Sequence, residues 1–337
     1  MRSLLLALVV LAPALGSCTA VGVAEASEQG SWAPINREMM GTAYSGFREG
    51  QHPDRGQGAV NPSRAETLED LQLLVERGFG LIRLYDSGEN SAMVLEVIEA
   101  HQLPVRVLLG MWLDAEVSNH AGCAWLNEPI PAEALASNLA KNAEEVSRGI
   151  ALARKHPQTV LAISVGNEAL VEWNDHMVPL ASVLGYVRQV KLATPQPVTV
   201  ADNYRWWIEH GAPLAAELDF IGVHTYPVWE GKGIDDALGY TIENVEDVRA
   251  ALPGVSIAIL EAGWATTAGE FGDRASEAHQ DRYFWELEGW AVENETRVFF
   301  FEAFDEPWKG DPNNAHGAEK HWGLWSVDRK PKAAMRP

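Results

Sequence analysis

Val160-Leu161-Ala162-Ile163-Ser164-Val165-Gly166-Asn167-Glu168 is a nearly continuous apolar run that ends on an Asn-Glu pair. Such a run reads as a strand buried on both faces. A carboxylate at its end is costly to bury unless something there needs it. A second run, Val255-Ser256-Ile257-Ala258-Ile259-Leu260, delivers Glu261 in the same way. Two carboxylates so placed point to acid/base chemistry.

The same pattern recurs along the chain. A first strand over 39–44 leads into a Gly- and Pro-rich loop, after which Ser63 and Glu66 predict a capping box ahead of Leu68, Leu71, Leu74 and Val75. Gly78 ends that helix. Further strands are expected at 81–85, 105–109, 197–201, 220–223 and 298–301, and helices at 91–101, 131–155, 179–194, 234–252 and 276–292. Eight apolar strands separated by helices predict an α/β fold, a single (β/α)8 TIM barrel. Residues 333–337 leave room for only a rudimentary last helix, unless 319–328 closes the barrel base irregularly. A doubly wound open sheet is disfavoured, because no Gly-rich phosphate fingerprint follows the first strand.

With 337 residues, 47% of them hydrophobic, the chain can bury the large core that eight units require. A formal charge of −21 argues against nucleic acid and polyanionic substrates, and is compatible with a neutral ligand. Arg2 followed by the apolar stretch 4–15 reads as a secretory signal, too short to span a bilayer permanently. Leu15-Gly16-Ser17-Cys18 resembles a bacterial lipobox, so residues 1–17 are expected to be removed and Cys18 acylated. Cleavage of an ordinary signal near Cys18 or Ala20 is the alternative. Residues 18–34 then form a tether, 35–337 the catalytic domain, and membrane contact is expected only through the anchor. The expected location is the cell envelope. Cys123, the one other cysteine, is left without a disulfide partner and reads as an inert loop thiol.

In a barrel of this kind, chemistry sits at the C-terminal ends of the strands. Polar and aromatic residues cluster there: Tyr44, Arg83, Tyr85, Asp86, Trp112, Asn167, Asp202, Asn203, His224, Tyr226, Trp264, Glu302, Asp305, Glu306, Trp308 and Lys309. Carboxylates beside aromatics suit a sugar site, since glycosidic cleavage uses a proton donor and a second carboxylate while sugar faces stack on aromatic rings. Trp206, Trp207, Trp285 and Trp290 fall in helical patterns and read as packing, whereas Trp229 follows a strand end. No His-x-x-x-His or carboxylate cluster has metal-ligand spacing, so neither a metal nor a cofactor is expected.

Gly166-Asn167-Glu168, Val223-His224-Thr225-Tyr226-Pro227, Leu260-Glu261-Ala262-Gly263-Trp264 and Phe301-Glu302-Ala303-Phe304-Asp305-Glu306-Pro307-Trp308-Lys309, taken in order, resemble glycoside hydrolase family 17. The resemblance covers about residues 39–332. It implies a retaining β-1,3-glucanase or glucanosyltransferase, with Glu168 as acid/base, Glu261 as nucleophile and Tyr226 hydrogen-bonded to the nucleophile. It also assigns Glu306, Lys309 and Glu319, the last from Glu319-Lys320-His321-Trp322-Gly323-Leu324, to supporting substrate and acid/base. Glu261 as a carboxylate is expected to hold Glu168 protonated. The loop over 110–131 is longer than in the plant members. The implied ligand is a neutral β-glucan and the expected state a monomer. A glucanosyltransferase, the same mechanism on another β-glucan linkage, and a surface glycan-binding lipoprotein on an inactive barrel are the alternatives.

Overall fold

A computed structural model describes residues 40–54, 56 and 58–336. The expected signal peptide, the Cys18 anchor and the tether fall outside the described residues. Eight parallel strands close into a barrel in chain order: β1 (Met40–Ala43), β2 (Phe79–Arg83), β3 (Arg106–Met111), β4 (Val160–Asn167), β5 (Val198–Asn203), β6 (Ile221–His224), β7 (Ile257–Gly263) and β8 (Val298–Phe301). The intervening helices are α1 (Arg64–Glu76), α2 (Glu89–Ala100), α3 (Ala132–Lys155), α4 (Leu180–Ala193), the pair α5 (Tyr204–His210) and α6 (Ala212–Ala215), α7 (Ile234–Ala251) and α8 (Glu277–Glu293). Ser63 caps α1, accepting from the Glu66 amide at 3.3 Å while the Glu66 carboxylate accepts from the Ser63 amide at 2.7 Å. Gly78 turns the chain out of that helix at φ +97°, a conformation that favours glycine.

Alternation along the strands divides two cores. Leu81, Leu108, Ala162, Phe220, Leu260 and Phe299 fill the barrel interior. Ile82, Val107, Ile163, Val223 and Ile259 belong to the second core, with the helix residues Leu71, Val94, Val146 and Val187. Both carboxylate-bearing strands break this alternation. The β4–β5 register shifts between Ser164 and Asn167, and the β7–β8 register shifts between Ile259 and Ala262. A bulge re-aims the side chains that follow it. Leu260 therefore points inward, Ala262 joins the outer core, and Glu261 between them also reaches the interior.

After β8, only two short 3-10 turns, Ala318–Lys320 and Ala333–Met335, appear among the described residues. The final helix is rudimentary, and the tail itself takes its place. Leu324 and Trp325 bond back to Glu302 and Ala303, Trp325 packs on Phe79 and Phe304, and Arg77 at the end of α1 donates to the Met335 carbonyl. Two buried ion pairs pin the tail, Arg329 to Asp70 at 2.6 Å and Lys332 to Asp305 at 2.6 Å.

Candidate active site

Glu261 is buried within a ring of donors. Its Oε1 accepts from Arg83 Nη1 at 2.7 Å and from the Tyr85 hydroxyl at 2.9 Å, and its Oε2 accepts from the Tyr226 hydroxyl at 2.5 Å. Burial pushes this carboxyl up, but the His224 ring, the Arg83 guanidinium and the two phenols outweigh it and hold the group below its ordinary range. Glu261 is therefore a carboxylate near neutral pH. It is equipped to attack or to stabilise positive charge, and poorly equipped to donate a proton.

Glu168 stands in a different setting. Its backbone is left-handed, φ +46°, and its amide bonds the Ala201 carbonyl at 2.8 Å. Oε1 lies 3.0 Å from His224 Nδ1, Oε2 accepts from Asn174 Nδ2 at 3.2 Å, and the side chain keeps 22% of its surface open. Arg83 can only donate, so its 3.3 Å contact at His224 Nε2 leaves Nδ1 as the ring's donor toward Glu168. An oxygen of each carboxylate and a ring nitrogen of His224 lie within 4.8 Å of one another. Retaining glycosidases hold their carboxyls about 5 to 5.5 Å apart, and inverting ones about 6.5 to 9.5 Å apart to admit a water. An approach this close favours the first class. Donors this close also suit a cation, but Arg83 already brings its positive charge to Glu261 and His224.

A second buried cluster adjoins this one. Lys309 Nζ lies 2.7 Å from Glu302 and 2.6 Å from Glu306, above the Phe301 ring, and Ser45 donates to Glu306. Burial and the Glu306 charge push the Glu302 carboxyl well above its ordinary range, with Lys309 opposing them. Burial works against the Lys309 charge, yet its two carboxyl neighbours hold it up. Glu319 is pushed up by burial and by Glu168 and Glu261, with Lys309 opposing, which puts it within electrostatic reach of the pair.

The structure thus brings together Arg83, Tyr85, Asn167, Glu168, His224, Tyr226 and Glu261, with Asn167 Oδ1 accepting from Arg83 Nη2 at 2.5 Å. Trp112 stacks on His176, with centroids 4.5 Å apart, beside the chain that carries Glu168. Several other rim candidates are corrected. Tyr44 is buried with its hydroxyl 3.4 Å from Asp70, and Trp264 is fully buried, donating to the Arg274 carbonyl and packed on Tyr283. Neither can stack on a sugar. Asp86 accepts from Gly88 and Ser91 at the start of α2, and Asn203 caps α5. Asp202 is fully buried and accepts from the Leu170 and Asn203 amides; burial and the Glu168 charge push its carboxyl well up. It braces the turn after Glu168. Trp308 packs edge-on against Phe47. Trp285, expected in packing, is half exposed, while Trp206 and Trp207 are buried as expected. Asn174, His176 and Trp322, which packs against Tyr226 and Phe301, carry no strand-end signal in the sequence.

Residues 41–323 match the family model described as the BtgE/BtgC glycoside hydrolase domain. A glucan 1,3-beta-glucosidase of Arthroderma benhamiae is 28% identical over 290 residues, covering 80% of this chain and 83% of that one. The crystal structure of an endo-laminarinase from Formosa Hel1_33_131 superposes with a TM-score of 0.76 at 26% identity, covering 89% of this chain and 86% of the other. An active-site mutant of Rhizomucor miehei beta-1,3-glucanosyltransferase in complex with laminaritriose has the same fold, with a TM-score of 0.69 at 22% identity over 91% of this chain and 98% of that one.

Proposed function

Because the chain belongs to the BtgE/BtgC glycoside hydrolase family, of the glycoside hydrolase family 17 type, we propose that it hydrolyses β-1,3-linked glucan with retention at the anomeric carbon. The observation that carries this reading is the pair of carboxyls, close together and in opposite environments: Glu261 buried and donor-ringed, Glu168 partly open to solvent. Glu261 attacks the anomeric carbon as the glycosidic C–O bond breaks, and Glu168 transfers its proton to the departing oxygen. The product of this step is a glucosyl ester of Glu261. Glu168, now a carboxylate, takes a proton from a water that attacks the same carbon, releasing Glu261 and a β-configured sugar. Arg83, Tyr85 and Tyr226 keep Glu261 ionised and oriented before attack. A net charge of −21 favours a neutral polysaccharide over a charged one.

The test is to incubate the purified domain with laminarin, curdlan, mixed-linked glucan and cellulose, following product size and first-formed anomer. Release of β-configured laminari-oligosaccharides is expected. Failure to cleave any β-1,3 linkage, or release of the α-anomer first, overturns the reading. Glu261→Gln is expected to abolish turnover with the fold intact. Wild-type turnover in that variant removes Glu261 as nucleophile.

Export and lipid anchoring through Cys18 are part of the same proposal, supported by the apolar stretch 4–15 and by Leu15-Gly16-Ser17-Cys18. A Cys18→Ser protein that still partitions with membranes counts against the anchor.

A further inference from the structure

Glutamate at φ +46° is strained, and such a backbone persists only where its surroundings over-determine it. For Glu168, part of that support comes from its own turn. Asn174 Nδ2 donates to the Glu168 carbonyl at 3.1 Å and to its Oε2 at 3.2 Å, closing backbone and side chain onto one amide. Asn174 is itself held from outside. Asn119, in the loop that joins β3 to α3, donates from Nδ2 to the Asn174 carbonyl at 2.6 Å and to the Glu172 carbonyl at 2.7 Å. The same loop is tied down again where the Glu116 amide donates to the Met177 carbonyl at 3.0 Å. Asn119 uses both N–H bonds of its amide on the turn that follows Glu168.

We propose that Asn119 and Asn174 form a positioning relay through which the long β3 loop sets the orientation of the proton donor. The relay rests on the reading of Glu168 as acid/base. Oε1 accepts from His224 and Oε2 from Asn174, so the two bonds together fix the plane of the carboxyl that must deliver the proton. Proton transfer to a departing oxygen is steep in geometry. A carboxyl free to rotate out of that plane still fits the cleft but donates poorly. Asn174 touches the proton donor but not the substrate, and Asn119 touches neither. Both act through Glu168.

The experiment compares kcat/KM on two substrates that share the glycosylation step. Laminarin has a sugar leaving group that needs the proton, and a dinitrophenyl β-laminarioside has one that leaves without it. Glu168→Ala is the reference. It should lose activity on laminarin and keep kcat/KM on the dinitrophenyl substrate, with added azide accelerating its second step. If Glu168→Ala loses both equally, the acid/base assignment fails, and the relay fails with it. If the reference behaves as expected, Asn174→Ala and Asn119→Ala should each lower kcat/KM on laminarin by about tenfold or more, with the dinitrophenyl substrate within about twofold of wild type. Equal losses on both substrates would mean a merely structural or binding role, and no loss on either would mean no role; each overturns the relay while leaving Glu168 in place. Should Asn119→Ala not fold, Asn119→Asp keeps the size, turns a donor into an acceptor facing two carbonyls, and is judged by the same ratio.

Discussion

The Tyr226 hydroxyl donates to Glu261 Oε2 at 2.5 Å, on the oxygen opposite the one held by Arg83 and Tyr85. This bond is one of several contacts that keep the Glu261 carboxyl below its ordinary range against the opposing pull of burial. As the proposed nucleophile Glu261 must be ionised to attack, so the acidic limb of kcat/KM is expected below that of an ordinary glutamate. Tyr226→Phe removes a donor that favours the charged form, and the limb should move to higher pH. The linked stability has the same sign: it is present above the unfolded carboxyl range and lost as pH falls through the depressed folded value. A pH profile of the variant with an unshifted acidic limb would show that Tyr226 does not tune the nucleophile.

Glu302 gives the opposite sign. Burial and Glu306 push it well up, so the folded protein binds a proton there more tightly than the unfolded chain does. Stability must then fall as pH rises above the ordinary carboxyl range. Glu302→Gln mimics the protonated form beside Lys309, 2.7 Å away. It cannot ionise, so it should flatten that fall. Denaturant titrations at a series of pH values measure the slope, and a fall as steep as that of the wild type would show that Glu302 does not cause it.

Arg329 ties the tail that follows β8 to Asp70, with bonds at 2.7 and 2.6 Å. Asp70 is fully buried on α1, and Tyr44 and Arg48 complete its shell. Arg329→Ala leaves that carboxyl short of its main cation, which costs about 3 to 5 kcal/mol for a buried pair broken on one side. Denaturant unfolding should register the loss, and activity at low temperature should survive it. A midpoint equal to wild type would mean that the tail closes the barrel without this pair.

The barrel was legible because parallel strands covered on both faces must be nearly all apolar, as 160–165, with Ser164 its one polar residue, and 298–301 are. Glu168, Glu261, Arg83 and Tyr226 were legible for a related reason: charged or phenolic groups at the ends of such strands need a purpose. Strand-end position alone did not separate Glu261 from Trp264, three residues on and turned into the packing with Tyr283. The bulge between Ile259 and Ala262 decides which neighbours face inward, and nothing in the residue types announces it. Asn119 and Asn174 are 55 residues apart in two loops, and ordinary loop asparagines give no sign that they meet. Tyr44 was misread because its strand end faces α1, where a buried aspartate awaits its hydroxyl.

Trp173 bears on whether water or a sugar takes the glucosyl group from Glu261. It lies between Glu172 and Asn174, whose carbonyls Asn119 holds, so the turn that presents it is pinned on both sides of the indole. The side chain is nonetheless 46% exposed. A large aromatic held open on a fixed turn gains little from the fold and is available to a ligand. The turn begins at Glu168, and with Glu168 as the proposed proton donor Trp173 is expected on the leaving-group side. An acceptor sugar enters on that side. Stacking there is worth about 1 kcal/mol, roughly fivefold in acceptor binding. Trp173→Ala should therefore lower the yield of elongated products at high laminari-oligosaccharide concentration by about that factor, with release of dinitrophenol from an activated substrate unchanged. Chromatography of the products at fixed conversion measures the ratio of transfer to hydrolysis. If the ratio does not move, the exposed indole is not an acceptor platform, and the choice between water and sugar is made closer to Glu168 itself.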